Sequence, residues 1–218
     1  MLIAPSILSG DLLKIGKEIK QLESAGADWI HLDVMDGQFV RNISFGIPVV
    51  KSVRQCTDLP LDVHLMIKDP ENYIEEFIKA GADIVTFHVE STECVEKNIK
   101  EIKKADKKAG IALKPNTNIE EILPFLRYVD IVLVMTVEPG FSGQRFLSYT
   151  LSKVVELKKI IDEKHLPVKI EVDGGINPQN VNIVKGAGAE IFVAGNSIFF
   201  LGNYKENIDA LRNTNWSF

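Results

Sequence analysis

Hydrophobic positions change rhythm along this chain. Eight short runs are largely apolar, at 2–8, 28–34, 61–67, 83–89, 110–115, 131–137, 168–174 and 190–196. Their length predicts β-strands. Between them lie stretches such as DLLKIGKEIKQLESAGA (11–27), PENYIEEFIKAGA (70–82) and SKVVELKKIIDEKH (152–165), apolar about every three or four residues. That is the rhythm of amphipathic helices. Asp11 and Asp69 stand at helix N-cap positions, and Pro70 follows the second at the first turn. The tetrapeptide Ala-Gly-Ala-acid recurs at 25–28, 80–83 and 187–190, each time leading into a strand. Glycine just past a helix is the expected C-cap, so the repeat marks helix-to-strand joints, and turn chemistry suffices to explain it.

Strands alternating with helices predict an α/β protein with a parallel sheet. Eight is also the number that closes a (β/α)8 TIM barrel, and no linker or compositional break divides residues 1–218, so we expect a single domain. An open doubly wound sheet usually carries a GxGxxG or P-loop after its first strand, and APSILSGD (4–11) is neither.

Composition narrows the function. The 218 residues are 45% hydrophobic and 25% charged, enough for one sizeable core. Net charge is −5 with no basic stretch, so a nucleic-acid partner is not expected and any bound anion needs local donors. Cys56 and Cys94, the only cysteines, sit in no CxxC spacing and favour a reducing compartment. The N-terminus lacks a signal-peptide pattern, and no apolar run approaches the ~20 residues of a membrane helix. The expectation is a cytoplasmic protein without a membrane partner.

WIHLDVMDG (29–37) carries the first sign of chemistry. Strand side chains alternate faces, so His31, Asp33 and Met35 share one face and Ile30, Leu32 and Val34 the other. LDVHLMI (61–67) repeats the arrangement with Asp62, His64 and Met66, and IEVDGG (170–175) supplies Asp173. In a barrel such residues cluster at the C-terminal strand ends. His31, Asp33, His64 and Asp173 can therefore converge from three strands as ligands for a borderline divalent cation, Zn²⁺, Fe²⁺, Mn²⁺ or Co²⁺. Beyond Met1 the only methionines are Met35, Met66 and Met135, all near predicted strand ends, which suggests a polarizable lining to the mouth. VEPGFSGQRF (137–146), DGGIN (173–177) and AGNSIF (194–199) follow the last three strands, and their glycine-rich turns suit a phosphate dianion.

Taken together, APSIL, HLDVMDGQFV, DVHLM, LVMTVEPGFSGQRF, VDGG and AGNSIF resemble the ribulose-phosphate 3-epimerase family, in family order from Ala4 to Phe199. The resemblance implies a barrel of the ribulose-phosphate-binding type that interconverts D-ribulose 5-phosphate and D-xylulose 5-phosphate. It implies one divalent metal ion per subunit, held by His31, Asp33, His64 and Asp173, with Asp33 and Asp173 as the two acid/base residues. Ser6 and His64 match substrate-contacting positions, and Gly140, Phe141, Ser142, Gly143, Gly174, Gly175, Gly195 and Asn196 fall in the phosphate-binding segments. Relatives form symmetric assemblies, so a homo-oligomer is expected.

Some positions depart from the family pattern. Gln38 and Arg41 replace a histidine and a proline in the loop after the second strand, Ser142 replaces a glycine, and Asn196 stands where serine is frequent. They bear on substrate preference and loop behaviour, not on the metal and acid set. Ser142 lacks glycine's freedom at positive φ. Asp36 reads as a turn acid, His88 and Glu90 as supports behind the ligands, His165 as a surface residue, and Lys114 as weak evidence for a Schiff base. Three alternatives stay open. One is an epimerase for a six-carbon substrate such as D-allulose 6-phosphate, another a decarboxylase or aldolase on the same scaffold, and the third a phosphosugar-binding barrel without catalysis.

Overall fold

The computed structural model describes residues 1–200 and 203–213. Its strands are β1 (Leu2–Pro5), β2 (Ile30–Met35), β3 (Leu61–Met66), β4 (Ile84–His88), β5 (Lys108–Leu113), β6 (Ile131–Met135), β7 (Lys169–Asp173) and β8 (Ile191–Ala194). They form one parallel sheet in the order β1-β8-β7-β6-β5-β4-β3-β2. The barrel is nearly closed: between β1 and β2 the pairing thins to a single parallel bridge, Ser6 to His31. All eight expected strands are present, mostly trimmed at their ends. The largest trim at a single end is in β1, which stops at Pro5 because Ile7–Ser9 coils into a 3-10 turn.

Helices α1 (Ile15–Ser24), α2 (Ile47–Arg54), α3 (Ile74–Ala80), α4 (Val95–Lys104), α5 (Leu151–Glu163), α6 (Val181–Ala187), α7 (Asn196–Phe199) and α8 (Tyr204–Arg212) fill the connections and the C-terminal region. The connection from β5 to β6 differs. It carries 3-10 segments, Ile119–Glu121 and Leu123–Tyr128, where Pro124 removes an amide donor and disfavours α geometry at Leu123. Asp11 caps its turn as expected, its carboxylate accepting from the Leu13 amide at 3.0 Å. Asp69 keeps the N-cap position but sits at φ 50° with no side-chain capping bond, so it caps by backbone shape alone. Gly26, Gly81 and Gly188 of the repeated tetrapeptide lie at φ 90°, 113° and 117°, the left-handed geometry that ends a helix.

Burial separates two cores. The outer one packs helix residues such as Ile19, Leu22, Phe77 and Leu157 against the outward faces of the strands, including Leu32, Val63 and Phe87. The inner one, toward the N-terminal strand ends, joins Ala4, Trp29, Ile84, Ile131, Ile191 and Val193. Above that apolar floor the barrel interior turns polar, with His31, Asp62, His64, Thr86 and Glu171 fully buried. Among the described residues, no helix is long and apolar enough to cross a membrane.

Candidate active site

Register builds the site. Strand β2 reads His-x-Asp-x-Met and β3 reads Asp-x-His-x-Met, and the ladder pairs His31 with Asp62, Asp33 with His64, and Met35 with Met66. Inverting the order of acid and imidazole on the second strand therefore gives each histidine a carboxylate neighbour. His31 Nδ1 lies 2.6 Å from Asp62 Oδ2, while its Nε2 faces Asp33 Oδ1 at 3.3 Å. His64 Nδ1 lies 3.2 Å from the same Asp33 oxygen and 3.9 Å from Asp173 Oδ2. His31, Asp33, His64 and Asp173 each bring one ligand atom within 4.8 Å of the others. The convergence expected from the alternation is present.

Burial and charge drive the two acids apart. Burial pushes Asp33 upward, but His31 and His64 outweigh it and hold the carboxyl well below the usual range. Its Oδ2 also accepts the Ser6 hydroxyl at 2.5 Å. Asp173 has burial and then the negative charge of Asp33 acting in one direction, and is pushed up to about 7. Burial opposes a charged His31, yet Asp33 and Asp62 lift it well above the ordinary histidine value. His64 is lowered, chiefly by burial. One carboxylate is thus fixed as a base and the other is poised near neutrality, a division suited to proton transfer.

Behind these groups stands a supporting layer. His64 Nε2 lies 2.9 Å from His88 Nε2, and His88 Nδ1 lies 3.1 Å from Glu90 Oε2. Asp62 and Glu171 also converge on His31, forming a second acidic group that shares this imidazole. Burial, and then the neighbouring Asp62, raise the Glu171 carboxyl well above its ordinary value. Neither acid is among the site residues expected from the sequence, although the inverted acid–histidine order of β2 and β3 is a visible signal for Asp62. Glu171 gives a similar signal, two residues before Asp173 and hence on the same face.

A cavity of about 340 Å³ opens beside this His/Asp cluster. Ser6, Asp33, Asp173 and the three methionines Met35, Met66 and Met135 line it, as do Gly140, Phe141, Ser142, Gly143, Gly174, Gly175, Gly195 and Asn196. His64, fully buried, sits among the ligand atoms and not on that wall. Gln144, Asn177 and Ser197, within the three glycine-rich segments but not among the residues named from them, also line the cavity, as does Ser9. Gly175 shows why glycine is needed here: its φ is 67°, and a Cβ would come 2.6 Å from the Phe146 amide nitrogen. Ser142 is not at positive φ; Gly140 and Gly143 on either side of Phe141 and Ser142 carry that geometry, so serine fits without strain.

The other singled-out residues find plainer places. Asp36 accepts the amides of Gln38, Phe39 and Lys68, tying two loops as a turn acid. Gln38 and Arg41 are exposed, and neighbouring Asn42 donates to the Gly140 carbonyl at 2.7 Å. Asn196 Oδ1 accepts the Ser9 hydroxyl at 3.1 Å. Lys114 lies over the Phe39 ring at 3.8 Å, and His165 is exposed.

Comparison with known proteins gives a consistent picture. A profile of the ribulose-phosphate 3 epimerase family matches residues 2–199. A ribulose-phosphate 3-epimerase of Synechocystis sp. is 46% identical over 216 residues, covering 98% of this chain and 94% of that protein. One from Bacillus subtilis is 47% identical over 211 residues, covering 96% and 97%. Among solved structures, 3-hexulose-6-phosphate synthase from Salmonella typhimurium superposes with a TM-score of 0.73 at 15% identity, covering 98% of both chains, a likeness of fold.

Proposed function

The chain belongs to the ribulose-phosphate 3-epimerase family and is an epimerase, and from that premise we propose that it interconverts D-ribulose 5-phosphate and D-xylulose 5-phosphate at the barrel mouth. The observation that carries the mechanism is the convergence of two imidazoles and two carboxylates within 4.8 Å. This donor set fits a divalent cation: His31 has Asp62 on its second nitrogen and His64 has His88, the kind of outer hydrogen bonding that orients ligating imidazoles. Held by His31, Asp33, His64 and Asp173, a Zn²⁺, Fe²⁺, Mn²⁺ or Co²⁺ ion supplies Lewis-acid stabilisation of charge developing on the sugar oxygens.

The protein's own groups move the protons. Asp33, held ionised, takes the C3 proton from one face, and Asp173, titrating near neutrality, gives a proton to the other; the roles exchange in reverse. Two acids facing one cavity from β2 and β7 invert the carbon without turning the enediolate over. Ser6 fixes the Asp33 carboxylate through Oδ2. The three methionines set apolar side chains beside the acids, and a less polar surrounding strengthens charge interactions there. The glycine turns at Gly140–Gly143, Gly174–Gly175 and Gly195 receive the phosphate through backbone amides. The reading extends to a single-domain cytoplasmic enzyme with a small-molecule substrate. Sedimentation velocity tests a homo-oligomeric assembly.

Solvent deuterium incorporation at C3 of D-ribulose 5-phosphate, with kcat/KM measured in parallel on D-allulose 6-phosphate, tests the reading. It predicts exchange and preference for the five-carbon substrate. Binding without exchange, or preference for the six-carbon sugar, contradicts it. Borohydride trapping of a lysine adduct would instead establish an aldolase.

A further inference from the structure

His88 touches nothing in the cavity, yet it is completely buried with both ring nitrogens engaged. Its Nδ1 faces Glu90 Oε2 at 3.1 Å, and its Nε2 faces His64 Nε2 at 2.9 Å. Two imidazole nitrogens at hydrogen-bond distance share one proton between them, so the direction of this bond is a binary choice. Glu90 sets it. Its other oxygen accepts the Lys114 amide at 2.7 Å and the Thr117 hydroxyl, so the carboxylate is anchored as an acceptor. An acceptor opposite His88 Nδ1 requires the proton there, which leaves His88 Nε2 with its lone pair. That lone pair in turn requires the proton of His64 on Nε2. His64 Nδ1, the nitrogen beside Asp33 and Asp173, is then left with a lone pair to offer.

We propose that Glu90 and His88 are positioning residues that set the tautomer of His64, making its Nδ1 competent to bind the divalent cation. Packing holds the relay in place. The Phe39 ring lies 4.9 Å from the His88 ring and carries Lys114 Nζ over it at 3.8 Å, and His88 and His64 stack at 5.0 Å. The reverse direction would put two lone pairs, those of His88 Nδ1 and the Glu90 carboxylate, against each other. This inference rests on His64 being a ligand to the cation.

The test is the affinity for Co²⁺ alone, by competition with a chelator, for wild type, Glu90→Gln, His88→Phe, the double variant and Thr117→Val. An amide at 90 accepts or donates equally well, so it releases the constraint. Glu90→Gln is expected to weaken Co²⁺ binding about 10–100-fold. His88→Phe should weaken it at least as much, and Glu90→Gln should add nothing in that background. Thr117→Val, which loses a Glu90 bond but leaves the relay, should stay within about threefold. At saturating Co²⁺, kcat of Glu90→Gln should return toward wild type with KM unchanged. Wild-type affinity in Glu90→Gln, additive effects in the double variant, or equal losses in Thr117→Val and Glu90→Gln would each overturn the proposal. A wild-type chain that binds no Co²⁺ would instead overturn the reading of the ligand set.

Discussion

The two halves of the barrel mouth use different parts of the polypeptide. On the β2–β3 side the chemistry is carried by side chains on strands, buried and held by their neighbours: His31 by Asp62, Asp33 by Ser6, His64 by His88. On the β6–β8 side, apart from the Asp173 side chain at the end of β7, the wall is loop backbone, with Gly140, Gly143, Gly174 and Gly175 all at positive φ. The first half depends on register, because a slip of one residue in β3 would replace Asp62, His64 and Met66 with Val63, Leu65 and Ile67. The second depends on backbone shape, because a side chain at a tight glycine displaces the turn itself. The same substitution chemistry should therefore give opposite signatures: kcat and metal affinity on one side, KM and stability on the other.

Asp173→Asn should sharpen that contrast most. It removes an acid and a charged ligand together while keeping the shape, and kcat should fall about 10⁴-fold with little change in thermal stability. Retained epimerisation would show that Asp173 moves no proton, whereas deuterium exchange at C3 can survive through Asp33 alone. Next in size is Asp62→Asn, which leaves every cavity-lining residue in place but weakens the partner of His31 Nδ1. Titration calorimetry with Co²⁺ should show an affinity loss of about 10–100-fold.

The extent to which this was legible in the sequence follows the same division. Period-two alternation displayed His31, Asp33, His64 and the methionines before any coordinates, because a strand's faces are fixed by counting. Counting within one strand says nothing of which residue lies across the ladder, so the His31–Asp62 and Asp33–His64 pairs needed the sheet. Glu90 lies beyond the end of β4, in a 3-10 turn at Val89–Ser91, where it meets His88 as the shared face suggested, but the onward contact from His88 to His64 on the next strand needed the sheet. The β5–β6 connection, Ser9 and Gln144 were missed because loop backbone, unlike strand backbone, has no period to read.

Acidity supplies a third effect. Asp173, raised to about 7 from an ordinary value near 4, holds its proton below neutrality, and that proton competes with a cation for the carboxylate oxygens. Metal affinity is therefore lost as pH falls through 7, by about tenfold per unit, with the proton on His31 adding to the slope. The metal-free chain shows the opposite sign: its native state binds that proton more tightly than the unfolded one, so this group's contribution to stability declines as pH rises from about 4 to 7. Metal affinity that is flat between pH 5 and 7 would contradict both.

On the backbone side the effects are smaller and of another kind. Gly175→Ala, at φ 67° and 2.6 Å from the Phe146 amide nitrogen, should cost about 2 kcal/mol, seen as a fall in Tm of roughly 4–8 °C, with KM raised more than kcat is lowered. Asn196→Ser removes an acceptor for Ser9 but leaves the turn intact, and KM should change by no more than about threefold.

Exhaustive chelation followed by stepwise return of Co²⁺, with turnover of D-ribulose 5-phosphate monitored throughout, tests the ligand set most directly. The four convergent groups predict that turnover disappears with the metal and is restored in proportion to Co²⁺ up to one ion per chain. Turnover that survives complete removal of metal, or that needs more than one ion per chain, would contradict it.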